Sequence, residues 1–492
     1  MKNILFFLAL LPVVTSAQHH NQMTMAADTT QPMHDMSGSM GDAKAMNYGL
    51  MMDTTMGMTS SLSRNLPMNR NGSGTSWHPD NTPMYAYMKT PANSRWSYMM
   101  HYAIYPRYTS QNVNNTGRGG RGHDSQFGVP SWFMGMAQRK VGRRGLFQAR
   151  IMLSPDALLV GNGGYPLLFQ TGESYQGQPL IDRQHPHDLV SELSVSYAHA
   201  FSKDIDLYGY VGYPGEPALG PPAFMHRMSS FNDPNAPLSH HWQDATHILF
   251  GVAIVGFRYK WAKLEGSTFK GREPDENRYN FDTPKFDSYS YRLSVNPSPS
   301  LALQFSQGFL TSPEPAHPNE DVTRTTASVL HSKGLGEQRY ITSAFVWGHN
   351  GHDGIGENSF LAESSLQLNR TAFYGRFENV GKSVEELVLS DRIGPESRVL
   401  TINNLTLGAN YRLAQHRQTD LVLGAQVTAA MPEKALQTFY GNTPVSGLIY
   451  LRISPSLMTM RSMMSSMGMP GTSMPDKSMR GKSMPGMNHR RR

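Results

Sequence analysis

The chain is 492 residues long, carries a formal net charge of +7, is 39% hydrophobic and contains no cysteine. Zero Cys excludes a disulfide framework and a lipid-anchoring cysteine. The mild, scattered charge offers no nucleic-acid surface, and beyond the first residues no run of about 18 apolar residues supplies a membrane-spanning helix.

Met1-Lys2, an apolar stretch over 4–14 and Thr15-Ser16-Ala17 read as a secretory signal peptide over 1–17. Residues 18–70 form a Met/His-rich segment, with ten Met and three His within 18–60, and 456–492 hold ten more Met. Segments this poor in branched apolar residues cannot offset chain entropy by burial, so both are expected to be disordered. Between them, 71–95 is expected at the periplasmic mouth or as a plug. Pro79 and Pro83 lie four apart there, which a strand ladder rejects, while Trp77 and Tyr85 offer apolar anchors.

Residues 96–455 alternate with period two. Leu405, Leu407, Ala409 and Tyr411 share one face while Thr406, Gly408, Asn410 and Arg412 share the other. The pattern predicts strands at 96–105, 131–139, 145–153, 189–201, 205–213, 246–258, 260–270, 288–296, 300–309, 321–331, 339–348, 358–368, 371–380, 401–413, 418–430 and 445–453. The connections alternate short, as at Gly142-Arg143-Arg144 and Asn369-Arg370, with long, as at 106–130, 154–188 and 214–245; 349–357 is of middling length. Short periplasmic turns and long outer loops are what a transmembrane antiparallel β-barrel requires. The expected fold class is therefore all-β, with sixteen strands or, because no break marks Tyr259-Lys260, fourteen. It places the chain in a Gram-negative outer membrane with lipid as its surroundings and both termini periplasmic. Arg150, Glu363, Arg376, Glu378 and Arg412 should face the lumen, as paired charges and not as catalysts. No catalytic motif occurs, and no enzyme activity or obligatory cofactor is expected.

Three residue sets could bind metal. The tails combine Met33, His34 and Met36 with the M-x-M pairs Met56/Met58, Met458/Met460 and Met467/Met469. Thioethers select Cu(I), and Ag(I) on the same softness, so copper or silver ions are the expected partners. The second set is His185, His187 and Asp188, which could ligate Zn or Cu(II); the alternative is a loop pinned into the barrel mouth. The third is the loop histidines, among them His123, His226, His240, His241, His317, His349 and His352, an enrichment only slightly above the loops' share of the chain.

The string Gly72-Ser73-Gly74-Thr75-Ser76-Trp77-His78-Pro79-Asp80 with Pro83-Met84, and the block 171–188 ending Arg183-Gln184-His185-Pro186-His187-Asp188, carry a resemblance. Together with the Met/His-rich leader and the alternation, they make the chain resemble outer-membrane barrels associated with bacterial copper and heavy-metal resistance. The copper-resistance B family is a more distant likeness of architecture. The resemblance implies a barrel and metal handling, with a periplasmic metal-handling partner as a further expectation, and assigns no residue a role. The competing readings are a general or nutrient porin and a structural or adhesive barrel.

Overall fold

The computed structural model describes residues 60–91, 93–115, 121–314 and 318–458. The leader and most of both Met-rich segments lie outside them.

The described chain forms a closed antiparallel barrel of sixteen strands. In order they are β1 (Trp96–Ile104, continuing as Arg107–Gln111), β2 (Asp124–Gly128, continuing as Ser131–Val141), β3 (Gly145–Leu153), β4 (Val190–Ala200), β5 (Ile205–Gly212), β6 (Val252–Tyr259), β7 (Ala262–Phe269) and β8 (Ser288–Ser298). There follow β9 (Leu301–Leu310), β10 (Val322–Gly336), β11 (Arg339–His352), β12 (Ile355–Leu368), β13 (Thr371–Ser383), β14 (Val399–His416), β15 (Thr419–Pro432) and β16 (Val445–Pro455). Each strand pairs with its sequence neighbours. β16 closes the ring on β1 through Ile453↔Ile104 and Leu448↔Thr109. Closure leaves no sheet edge, which is how the backbone's polar groups are satisfied in lipid.

The outer face is apolar. Val255, Phe257, Leu264, Leu293, Phe377, Leu407 and Val427 point out and are exposed, while their neighbours Lys263, Glu265, Arg292, Arg376 and Gln426 point in and are buried. Aromatic side chains mark both rims: Tyr259, Trp261, Phe373 and Tyr411 at the short-turn end, Tyr108, Phe127 and Tyr289 at the other. An apolar band between two aromatic girdles around a polar interior suits a hydrocarbon surround.

Seven connections at one end are two to four residues long. The turn that the sequence left unmarked is Lys260-Trp261, where Lys260 takes a left-handed backbone (φ 51°) without the usual Gly or Asn. At the other end two expectations need correction. The connection 349–357 is the tight hairpin Asp353-Gly354, with φ 42° and 80° as a two-residue turn demands, so β11 and β12 extend to His352 and Ile355. The connection 106–130 contains strand at both ends: Arg107↔Gly128 through Gln111↔Asp124 continue the pairing, Pro106 and Pro130 interrupt it, and the connection proper shortens to 112–123. The strand expected from 246 begins at Val252 instead, since 246–251 still belong to the inward loop.

Two segments occupy the interior. Residues 60–84 run along the inner wall: Thr75 donates to Glu265 (2.5 Å) and accepts from Arg292 (2.7 Å), and Arg150 donates to the Gly74 carbonyl (2.6 Å). Trp77 is buried between Arg70 and Lys263, whose cations lie 4.8 and 4.7 Å from its rings. Gly74 sits at φ 51° with a would-be Cβ 2.8 Å from Glu216, so the close approach requires glycine. The second segment, 213–251, is almost wholly buried and tied around the wall. Arg227 pairs with Glu363 (2.6 Å) and Asp244 (3.0 Å), Arg376 with Asp233 (3.0 Å), and Arg452 donates to Asn232 (2.5 Å). Pairing with full hydrogen bonding is what makes such buried charges tolerable.

Candidate functional site

The inner wall changes character across β1, β2 and β3 near the short-turn end. Alternation turns Met99, His101, Met134 and Met136 inward, and the ladder sets Met99 opposite Met136 and His101 opposite Met134. The result is a thioether and imidazole patch in a lumen whose wall elsewhere mixes paired charges and hydroxyls with buried apolar side chains. Nε2 of His101 lies 2.9 Å from Sδ of Met134.

The interior segments complete the patch. Met68, His78 and Met84 come from the 60–84 segment, and Met225, His226 and Met228 from the loop 213–251. All line one cavity of about 90 Å³ together with Trp132, Tyr85 and Phe231. Between residues 60 and 455 the chain has eleven Met, and seven of them line this cavity, so the grouping is not composition alone. The three imidazoles adjoin: the rings of His101 and His226 are 5.5 Å apart, Trp132 lies 5.0 Å from each, and His78 Nε2 meets the His226 carbonyl at 3.1 Å. Burial lowers His78 to about 4 and puts His226 well below the usual histidine range. Both rings are therefore neutral near pH 7, the form that can ligate a metal.

Met458 is the one tail methionine of the expected metal donors that falls among the described residues. Its N–H donates to the carbonyl of Met84 (2.8 Å), a lining residue, so the C-terminal segment starts beside the cavity. Met33, His34, Met36, Met56, Met58, Met460, Met467 and Met469 lie outside the described residues.

His185, His187 and Asp188 sit at the other end of the lumen. The rings of His185 and His187 are 6.3 Å apart, but the Asp188 carboxylate turns away to Arg278 at 3.4 Å. His185 lies 3.4 Å from Glu173 and His187 2.8 Å from Asp156. Among the described residues no three His, Asp or Glu side chains meet at metal-bonding distance. The block 171–188 is held against the inward loop. Gly172, at φ 103°, has a would-be Cβ 2.5 Å from the His241 ring, so only glycine lets the two segments touch. His185, His187, His226, His240 and His241 thus gather inside the barrel, whereas His349 and His352 stand on the end of β11.

Sequence reasoning missed the cavity. The signal was Met134-x-Met136 within a predicted strand: period two puts both on one face, and the face was the polar one. Methionine inside a fold ordinarily reads as core.

The chain matches no protein-family model and no curated protein in sequence. Among solved structures it is similar to Salmonella typhi OmpF in complex with daunomycin (TM-score 0.45, 9% identity, 75% of this chain and 100% of that one). It is also similar to a loop-deleted OmpT of Vibrio cholerae (0.42, 10%, 73% and 100%) and to the anion-selective porin of Comamonas acidovorans (0.41, 9%, 73% and 99%). All three are outer-membrane proteins or porins, and likeness at this level says nothing of what this barrel binds.

Proposed function

We infer that the chain is an outer-membrane protein that binds soft metal ions, copper(I) foremost, and takes part in copper tolerance or transport. The observation that carries this reading is the single cavity lined by seven thioethers and three imidazoles inside the barrel. Sulfur and neutral imidazole are the donors that prefer Cu(I) and Ag(I) over the hard cations of the medium. The Met-rich segments on either side would collect the ion, and Met458 beside Met84 supports a hand-over from tail to barrel. The described chain begins and ends at the short-turn end, with Arg64 on the Gly142 carbonyl and Ser456 on the Gln418 carbonyl, and in this reading that end faces the periplasm.

The test compares a deletion strain with strains carrying the full protein, a tail-less version and a Met99→Leu/Met134→Leu/Met136→Leu version. Leucine keeps bulk and removes the donor. Copper tolerance altered in the deletion and in the Leu version supports the reading; tolerance equal in all four strains removes it.

A general porin is the second reading, favoured by strand number, since barrels of sixteen strands commonly enclose an aqueous channel. Against it stand the two segments bound across the lumen. Single-channel recording separates the readings: large, metal-insensitive conductance supports a porin.

A further inference from the structure

At the long-loop end, three histidines lie in a row for which the copper(I) reading has no use. His187 comes from the connection after β3. His240 and His247 come from the loop 213–251, on the short helix His240–Gln243 and the turn Ala245–His247. The rings form a chain, with His187 and His247 5.3 Å apart and His247 and His240 5.2 Å apart. Two imidazoles sharing one tetrahedral metal at about 2.0–2.1 Å per nitrogen place their ring centres about 5 Å apart.

Each ring is held through the same nitrogen. Nδ1 of His187 is 2.8 Å from Asp156, Nδ1 of His240 is 2.5 Å from the Asp244 carboxylate, and Nδ1 of His247 is 2.8 Å from the Asp244 carbonyl. An oxygen at Nδ1 fixes the proton there and leaves the lone pair on Nε2, the arrangement that outer carboxylates impose on metal-ligating histidines. Asp244 is itself held by Arg227, so the support is two layers deep.

The Nε2 atoms of His187 and His247 are buried with no hydrogen-bond partner, as is that of the adjoining His241. A buried nitrogen without a partner costs about 1–3 kcal/mol, and three of them side by side are not what a satisfied polar core contains. A cation accepting the lone pairs of His187 and His247 would remove that cost at two of the three.

We propose that His187, His240 and His247 form a binding site for a borderline divalent cation, Zn(II) or Cu(II), with Asp156 and Asp244 as positioning residues. The rings as they stand do not yet converge; binding draws the outer two, His187 and His240, toward His247. The site is separate from the methionine cavity, with Phe224 between them: its ring lies 5.2 Å from that of His240, while His226, two residues on, lines the cavity. Imidazole without sulfur suits a divalent ion, whereas the thioether cavity suits a monovalent one. The proposal does not depend on the copper(I) reading.

The test uses the full-length protein folded in detergent, because the Met-rich segments contribute donors of their own. Co(II) added alone should give the intense visible bands of a tetrahedral nitrogen site, abolished by one equivalent of Zn(II). Cu(II) should give nitrogen hyperfine structure in its resonance spectrum; whichever of Zn(II) and Cu(II) displaces Co(II) at lower concentration is the preferred ion. His187→Gln/His247→Gln should lose the tetrahedral bands while still binding Ag(I). Asp156→Asn, which keeps the packing, should weaken Co(II) binding itself by about 10–100-fold. Zn(II) should raise the unfolding temperature of the unaltered protein and not of the double variant, a readout that stands even if that variant folds poorly. Wild-type protein without tetrahedral bands, or a folded double variant with the same bands, overturns the site.

Discussion

Arg227 Nε and Glu363 Oε1 meet at 2.6 Å, both almost wholly buried, and the contact fastens the middle of the inward loop to β12. Glu363 also holds Arg376 at 3.0 Å, and Arg376 holds Asp233 on the same loop. One carboxylate therefore bridges two guanidinium groups, one on the loop and one on the wall, each of which has a second carboxylate in Asp244 or Asp233.

Glu363→Ala removes the carboxylate that the two guanidinium groups share, leaving Arg227 on Asp244 alone and Arg376 on Asp233 alone. Breaking a buried pair from one side costs about 3–5 kcal/mol. The expected outcome is a lower urea midpoint in detergent and a higher conductance in planar bilayers, as the loop comes away from β12. Unchanged conductance together with unchanged stability would mean that the loop is held elsewhere.

Inward tyrosines lie across glycines on the neighbouring strand: Tyr374 over Gly408, Tyr208 over Gly256 and Tyr450 over Gly424, each a direct cross-strand pair. A Cβ on Gly408 would stand 2.2 Å from the Tyr374 ring. Gly408→Ala should therefore destabilise by about 1–3 kcal/mol through overpacking. The temperature at which the folded band is lost on gels reads this. Adding Tyr374→Ala should make the Gly408 change nearly silent, since the clash is gone.

The strand pattern was legible because a two-residue period with apolar residues toward lipid leaves a mark at every strand. All sixteen stretches, from 96–105 to 445–453, overlap an observed strand. Lys260-Trp261 and Asp353-Gly354 were the hard places for opposite reasons. The first turns without a turn residue; the second has a turn pair inside a polar stretch that read as loop. The interior was far less legible. Met68, Met99, Met134 and Met225 come from four parts of the chain, and only closure of the ring and the return of the 213–251 loop bring them together. His187 and His247 likewise carry no local spacing that would announce a shared site.

Asp182 gives a pH dependence with a definite sign. Its buried carboxyl is raised from 3.8 to about 6 by desolvation, against the Phe169 N–H at 2.7 Å and Arg121 at 3.7 Å, which lower it. With the folded value above the unfolded one, this group's contribution is fully present below about pH 4 and is lost as pH rises through 6. Asp182→Asn keeps shape, accepts the same N–H and tolerates the local φ of 58°, yet never ionises. Relative to wild type the variant should gain stability between pH 4 and pH 8, by up to about 3 kcal/mol. Urea midpoints of both proteins at the two pH values measure it. The comparison must be between proteins, because His78 and His226 shift the opposite way and act on both alike. A difference independent of pH would show that Asp182 ionises as readily inside the barrel as outside.

The orientation in the membrane follows from which rim is built for which side, and it can be read directly because the chain has no cysteine. A single engineered Cys is then the only thiol. Asn369, at φ 55° in the turn between β13 and its predecessor β12, marks the short-turn rim. Gln176, at φ 54° at the tip of the 173–180 hairpin, is exposed at the other rim. Outer-membrane barrels carry short turns on the periplasmic side and longer connections on the outer side. Gln176→Cys should therefore react in intact cells with a membrane-impermeant maleimide, and Asn369→Cys only after the outer membrane is opened. Both sites are hairpin tips where a side-chain change is tolerated, so labelling reports access and not damage. Reaction of Asn369→Cys in intact cells would turn the barrel over, move the methionine cavity to the outer rim, and place the Met-rich segments outside the cell, where they could not collect periplasmic metal.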